Sequence, residues 1–366
     1  MGPRYFLNAH SRSGAPYSGL FQADEYEQVA AFFESHPEMT PTRLETLRDL
    51  GGEIGIGPIL VKDESRRFGL NAFKILGVTY AIERIKQSRQ IQPGATLACA
   101  TEGNHGRAVA RVASRNGLQS RIFVSKQMAP ARIAALHQEG ARVVVVDGNY
   151  DDSVHRCAAE ASANDWTVVS DTAWPGYEQV PRWIMAGYTR LRAEASAQWQ
   201  SVGPPDIVLV QAGVGGLAAA VVSWLCHRFG ERRPFVVVCE PIAAACCLES
   251  AQAERPVRLP GPFDTMLAGL RCGEVSSIAW PVLHRAVDAF VAIDDRRCIE
   301  TLRRLAHPNG DDPELQSGPS GCCGLAGLLA ITEDESLRPV RDAAALKPET
   351  RALAIITEGP EGVAHS

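Results

Sequence analysis

The order of apolar and polar residues predicts an α/β protein whose sheets are mostly parallel, and two observations carry this. Short apolar runs alternate along the chain with longer helical patterns, the rhythm of strand–helix–strand units. Several runs, residues 143–146 and 236–238 among them, are apolar at consecutive positions, as strands covered on both faces by helices are. At 366 residues the chain also exceeds what one hydrophobic core usually organises, so two domains with a cleft between them are expected.

In chain order the expected strands are ATLACA ending at Ala100, RIFVS, RVVVVD, WTVVSD, IVLVQAG, FVVVCE and, near the C-terminus, ALAIIT. Between them residues 108–116, 131–138, 153–163 and 218–228 carry helical spacing, without repeats or low-complexity tracts. Both faces of each sheet should then be covered. Ligands in open α/β sheets collect beyond the carboxyl ends of the strands. Three loops occupy such positions: TEGNHG after Ala100, SDTAWPGY after WTVV and QAGVGG after IVLV. All three are expected to face one crevice.

Composition narrows the function. Hydrophobic residues at 45%, charged residues at 22% and a formal net charge of −5 describe a globular chain with no basic field for nucleic acid or an acidic membrane surface. No run approaches the roughly 18 apolar residues of a membrane span, and MGPRYFLNAHSRSGAPYSG lacks the apolar stretch of a signal peptide; a cytoplasmic location is expected. Ten cysteines sit mostly in apolar stretches without paired CxxC spacing. Buried, reduced packing residues are expected, and no metal site.

Residues 211–220, QAGVGGLAAA, form a glycine-rich turn between a strand and a helix. Small residues there let backbone N–H groups close around an anion, so Gly213, Val214, Gly215 and Gly216 are candidates to cradle a phosphate. The stretch also fits the dinucleotide fingerprint G-x-G-x-x-G/A, with Glu240 at the end of the next apolar strand to hold a ribose. On these residues alone NAD, another phosphate and plain tight packing stand level. Lys74 tips the balance, because it lies in KDESRRFGLNAFKILG within an apolar pattern where a charge is costly unless employed. Burial should lower its pKa and make it a better nucleophile. The plain alternative is a lysine that snorkels to solvent.

FGLNAFK, TEGNHGRAVA and QAGVGG together resemble the fold-type-II pyridoxal-phosphate (PLP) enzymes, the group that includes threonine dehydratase, serine racemase and tryptophan synthase β. Within it the closer resemblance is to the diaminopropionate ammonia-lyases. KDESRRFGLNAFKILG, TEGNHGR, NYDDSV, SDTAWPGY, PRWIMAGY, QAGVGG, AGLRCGE and ITEG follow in the order expected of them, over approximately residues 40–360. The resemblance implies two domains, each with a mostly parallel sheet flanked by helices, and an active site in the cleft between them. Residues 1–84 with 190–366 would form the large PLP-binding domain, and 85–189 the small substrate-loop domain. It also implies a homodimer that removes ammonia from 2,3-diaminopropionate, of D or L configuration or both, or from a close β-substituted relative. Pyruvate and ammonia would form by way of aminoacrylate. A β-replacement synthase, a NAD-dependent oxidoreductase and a non-catalytic PLP carrier are the other readings.

Roles follow position by position from the same resemblance. Lys74 would hold PLP as a Schiff base, Gly213, Val214, Gly215 and Gly216 its phosphate, and Asn104 its 3-oxygen. Thr357 in ITEG, or Ser320 in SGPSG as a second candidate, would face the pyridine nitrogen with a neutral hydroxyl. Thr101, Gly103 and His105 would line the loop that takes the substrate carboxylate on backbone amides. Glu102 and Asp171 would be the acid–base residues serving opposite faces of the substrate. Glu102 stands where the family pattern TDGNHG has aspartate, and the added methylene moves the carboxylate by over an ångström, which leaves the exact substrate open. Arg271 likewise replaces the small residue of AGLACGE. Cys246 and Cys272 align with a pair that is disulfide-bonded in some members, a bond that a reducing compartment disfavours. Trp174, Tyr177 and Trp183 should pack the Asp171 loop, and Asp151 and Asp152 should cap a helix beginning near Ser153. Beyond Gly359 the chain departs from the TEGDTD continuation and C-terminal extension of typical lyases, and closure or assembly is expected to differ.

Overall fold

A computed structural model describes residues 2–13, 17–89, 91–148 and 150–360, apart from the side chains of residues 89 and 151. Its strands are β1 Arg4–Leu7, β2 Leu44–Leu47, β3 Ile59–Asp63, β4 Thr96–Ala100, β5 Gln119–Ser125, β6 Arg142–Val146, β7 Thr167–Val168, β8 Ile207–Gln211, β9 Phe235–Pro241, β10 Ala289–Ile293 and β11 Ala352–Ile356. They form a seven-stranded sheet in the order β1-β10-β9-β8-β11-β3-β2 and a four-stranded sheet in the order β6-β5-β4-β7. All neighbours pair in parallel except the two edge strands of the larger sheet, β1 on β10 and β2 on β3. Parallel pairing forces a crossover between successive strands, and the helices between the apolar runs supply it.

Strands β8, β10 and β11 are buried along their whole length and β9 all but its first residue, as their uninterrupted apolar sequences require. β6 departs from that expectation. It is the edge of the smaller sheet, none of its residues is fully buried, and Val145 is 53% exposed. A run of four valines reports strand propensity, but not how many neighbours the strand has.

Two long helices, Lys74–Arg89 and Gln179–Gln198, run side by side. A Cβ on Gly77 would lie 2.5 Å from the Ile184 carbonyl oxygen, and one on Gly187 2.7 Å from that of Leu76. Only glycine permits backbones this close. The division expected at 84/85 and 189/190 falls inside these helices rather than in linkers. The segment before Lys74 is pinned to the second helix by charge: fully buried Arg67 binds Glu64 at 2.6 Å and Glu194 at 2.6 Å, and Lys62 binds Glu194 at 2.9 Å. Among the described residues no helix is long and apolar enough to cross a membrane.

Candidate active site

A cavity of about 470 Å³ opens where the carboxyl ends of β4, β8 and β11 meet the start of the Lys74–Arg89 helix, and every residue that the resemblance assigns to the cofactor, the substrate or catalysis lines it. Its walls come from both sheets. On one side lies the turn 213–216, which enters the helix Gly216–Phe229. Gly215 has φ +87°, and a Cβ there would sit 2.8 Å from Leu283 Cδ1; one on Gly213 would sit 2.9 Å from Cys272 Sγ. The turn can therefore exist only with glycine, and its helix start presents N–H groups that lack intrahelical partners.

Lys74 opens its helix and forms an ion pair with Asp171, its ammonium 5.2 Å from the Phe73 ring centroid. Burial pulls the lysine's pKa down, but the charge of Asp171 outweighs burial, and the net effect holds Lys74 protonated well above its ordinary range. The expected fall in its pKa is thus reversed by a partner that only the tertiary fold brings near. Asp171 mirrors it. Burial raises its pKa, yet Lys74 and then His105 hold it well below the usual carboxylate range.

His105 is buried and donates from Nε2 to the Val169 carbonyl at 2.8 Å. Its Nδ1 faces Asp171 Oδ2 at 3.8 Å without a hydrogen-bond partner among the described residues. Burial lowers its pKa, so the ring is neutral and presents a lone pair toward Asp171. Glu102 holds its backbone in place through Arg132, which donates to its carbonyl at 2.7 Å. Burial raises the Glu102 pKa against the pull of Ser125, Arg132 and Arg271, and its Oε1 has no hydrogen-bond partner among the described residues. Thr101 Oγ1 accepts from the N–H groups of Gly103 at 3.0 Å and Gly106 at 3.1 Å. The Gly103 amide expected to meet a carboxylate is therefore already engaged within its own loop.

At the far wall Gln211 Nε2 donates to Thr357 Oγ1 at 2.9 Å and to the Gly321 carbonyl at 2.6 Å. Ser320 Oγ accepts from Gly269 N–H at 3.0 Å. The Thr357 hydroxyl thus accepts from the protein and keeps its own proton to donate, whereas the Ser320 hydroxyl also bonds the Glu358 carboxyl. Asn104 Nδ2 donates to Glu358 Oε2 at 2.6 Å. Glu240 lies elsewhere: fully buried, it accepts from the N–H groups of Cys247 and Leu248, both at 2.8 Å, at the start of the helix Cys246–Ala253. With both its oxygens committed there, the dinucleotide reading loses its ribose acid.

Cys246 and Cys272 are free thiols, as are the other eight cysteines. Trp174 stacks on Tyr177, with centroids 4.3 Å apart. The Tyr177 hydroxyl accepts from Ser170 N–H and donates to Val168 O, both at 2.9 Å, which anchors the Asp171 loop. Trp183 packs under Arg84 instead. The helix expected near Ser153 begins at Tyr150, so Asp152 sits in its first turn rather than ahead of it. Asn149 and the side chain of Asp151 lie outside the described residues. Glu358, Gln211, Arg132 and Tyr188 also line the cavity. Glu358, Gln211 and Tyr188 lie within motifs already singled out, ITEG, QAGVGG and PRWIMAGY, and could have been named from them. Arg132 carries no such signal.

The model of the pyridoxal-phosphate dependent enzyme family matches residues 36–357. The diaminopropionate ammonia-lyase of Escherichia coli (strain K12) is 36% identical over 366 residues, 95% of this chain and 92% of that protein. The enzyme of the same name from Salmonella typhimurium (strain LT2) is 33% identical, with the same coverage of 95% and 92%. Among solved structures, Escherichia coli diaminopropionate ammonia lyase with an aminoacrylate–PLP azomethine reaction intermediate superposes with a TM-score of 0.91 at 35% identity, covering 99% of this chain and 95% of that one.

Proposed function

This chain belongs to the diaminopropionate ammonia-lyases, within the pyridoxal-phosphate-dependent enzymes, and from that premise we propose that it removes ammonia from 2,3-diaminopropionate, leaving pyruvate. One observation carries the reading: a lysine ion-paired with a half-buried carboxylate, in a cavity whose opposite wall is a glycine turn at a helix N-terminus.

The residues present fit pyridoxal phosphate. The turn 213–216 is held tight because a Cβ on Gly213 or Gly215 would run into Cys272 or Leu283, and its amides suit a phosphate. Lys74 is the amine in reach to hold the aldehyde. Asn104 can meet the ring oxygen, and Thr357, which already accepts from Gln211, can donate to the ring nitrogen. When bound, the cofactor supplies an electron sink conjugated to the substrate's Cα.

The rest falls to the chain's own groups. Asp171, ionised beside Lys74, accepts a proton on one face of the substrate, and Glu102 serves the other. Together they give the β-ammonium of diaminopropionate anionic partners as it leaves water. His105 holds a lone pair beside Asp171 and can share its proton. Thr101 braces the loop that carries Glu102.

We place the enzyme in the cytoplasm, a reading supported by ten free thiols, nine of them buried, and expect a homodimer in which residues 85–189 form the substrate-loop domain. Purified protein should show a visible cofactor absorption band that disappears in Lys74→Ala. Both enantiomers of diaminopropionate, serine and other β-substituted alanines are to be screened for keto-acid release. Glu102→Gln and Asp171→Asn should impair opposite enantiomers of the preferred substrate. Equal losses on both would refute the two-face assignment, and a new amino acid in place of pyruvate would refute elimination.

A further inference from the structure

Glu358 sits where three loops of the cavity converge. Its backbone pairs with Ala72, two positions before Lys74, and the pairing is flanked by Phe73 N–H to Thr357 O at 3.1 Å and Gly359 N–H to Asn71 O at 2.9 Å. Its carbonyl accepts from Gly318 N–H at 2.9 Å in the turn that carries Ser320. A Cβ on Gly318 would come within 2.8 Å of Glu358 Oε1, so that turn is shaped around the carboxyl group. Held from these two sides, the side chain reaches across to the turn after β4 and accepts from Asn104 Nδ2 at 2.6 Å.

We propose that Glu358 is a positioning residue for Asn104, fixing the orientation of the amide that meets the ring oxygen of pyridoxal phosphate. The proposal rests on the function given above. A primary amide offers two N–H groups on one end and a carbonyl on the other, and nothing intrinsic to Asn104 decides which end faces where. Burial raises the Glu358 pKa against the pull of Arg132, Ser320 and Asn104; in its ionised form the carboxylate only accepts, so Nδ2 turns to Glu358. One of its protons is then committed to Glu358, and the other is left in a defined direction. A hydrogen bond to a charged acceptor is stronger and more directional than one between neutral groups, which makes Glu358 a firmer anchor than water would be. The same contact couples the Lys74 segment to the Asn104 turn, two walls of the cavity that come from different sheets.

The test uses the holoenzyme and reads the balance between the visible and near-ultraviolet bands of the bound cofactor, which responds to hydrogen bonding at the ring oxygen. Cofactor retention on dilution is measured in parallel. Glu358→Ala should shift the balance toward the near-ultraviolet and weaken retention by about tenfold or more, the size of a lost bond to a charged group. Glu358→Gln, whose carbonyl can still accept from Nδ2, should recover most of both. On an Asn104→Ala background Glu358→Ala should change either readout by less than about twofold, because its route of action is already gone. If Glu358→Ala does not fold, Glu358→Asp, which withdraws the carboxylate by a methylene, carries the same comparison. An unchanged spectrum in the folded variant overturns the proposal. So do effects of Asn104→Ala and Glu358→Ala that simply multiply. A wild type with no visible band at all would instead sink the cofactor reading, and this proposal with it.

Discussion

Replacing Asp171 by asparagine should destabilise the cofactor-free protein at neutral pH, and the deficit should shrink as pH rises. In the wild type Lys74 has a raised pKa. Its contribution to stability is complete below about 10.4, the value for an unfolded lysine, and is lost as pH rises through the folded value. Asp171 has a lowered pKa; its contribution is present above about 3.9 and is lost on acidification through the folded value. Between those limits the pair adds no pH dependence. Remove the aspartate and burial, the largest influence on Lys74, outweighs what Tyr188 and Cys272 still contribute, so its folded pKa drops below about 10.4. The unfolded chain then binds the proton more tightly, and stability rises with pH toward that value. Breaking a fully buried pair costs about 3–5 kcal/mol. These side chains are 23% and 16% exposed, so about 2 kcal/mol is the appropriate figure. At roughly 2.1 cal/mol/K of unfolding entropy per residue, a chain of 366 residues loses about 3 °C in Tm. Thermal melts of both cofactor-free proteins at about pH 7 and about pH 9.5 test the idea within the window set by these pKa values. A deficit of the same size at both pH values, or none at neutral pH, would show that Lys74 does not depend on Asp171 for its charge.

Three further substitutions probe separate parts of the argument. Gly215→Ala imposes a left-handed conformation on a residue with a side chain, at about 1–2 kcal/mol, and drives its Cβ to within 2.8 Å of Leu283 Cδ1; cofactor affinity by spectroscopic titration should fall by about tenfold or more, and an unchanged affinity refutes the phosphate cradle. Arg192 is fully buried over Trp199 and Trp224, at 5.1 and 5.5 Å, and its three guanidinium nitrogens lack hydrogen-bond partners among the described residues. Burial lowers its pKa to about 9, so Arg192→Met should leave the urea midpoint unchanged or raise stability by about 1 kcal/mol; a loss beyond about 2 kcal/mol would mean that the aromatic contacts outweigh desolvation. Burial raises the Glu240 pKa to about 8. Ionisation of the unfolded chain therefore erodes wild-type stability from about pH 4.3 up to that value. Glu240→Gln, which cannot ionise, should gain on the wild type as pH rises from about 5 to about 8, and parallel stability curves would contradict a carboxyl whose burial outweighs its two backbone hydrogen bonds.

Legibility in the sequence tracked local pattern. QAGVGG showed a glycine turn because only glycine tolerates the φ of +87° and the absent Cβ. IVLVQ, FVVVCE and ALAII showed buried strands because a strand with both faces covered has no polar positions. β3 was hidden because Lys62 and Asp63 interrupt its apolar run, although Lys62 is fully buried against Glu194. β1 and β2 are four-residue antiparallel edges, too short to display a period.

By itself the sequence determined the chemical inventory: where the candidate amine lies, which turn is rich in glycine, which loops bear carboxylates and in what order they follow the strands. These are properties of residue type and spacing, and they survive without coordinates. Tertiary structure alone decided the states of those groups. Lys74 is held protonated rather than made more acidic because Asp171, far along the chain, lies against it. Glu240 is a buried helix cap rather than a ribose ligand because β9 delivers it to Cys247 and Leu248. Asn104 acquires an anchor because Glu358 closes the cavity from the opposite sheet. Charge state and hydrogen-bond direction depend on distance and burial, which are set by contacts between residues remote in sequence.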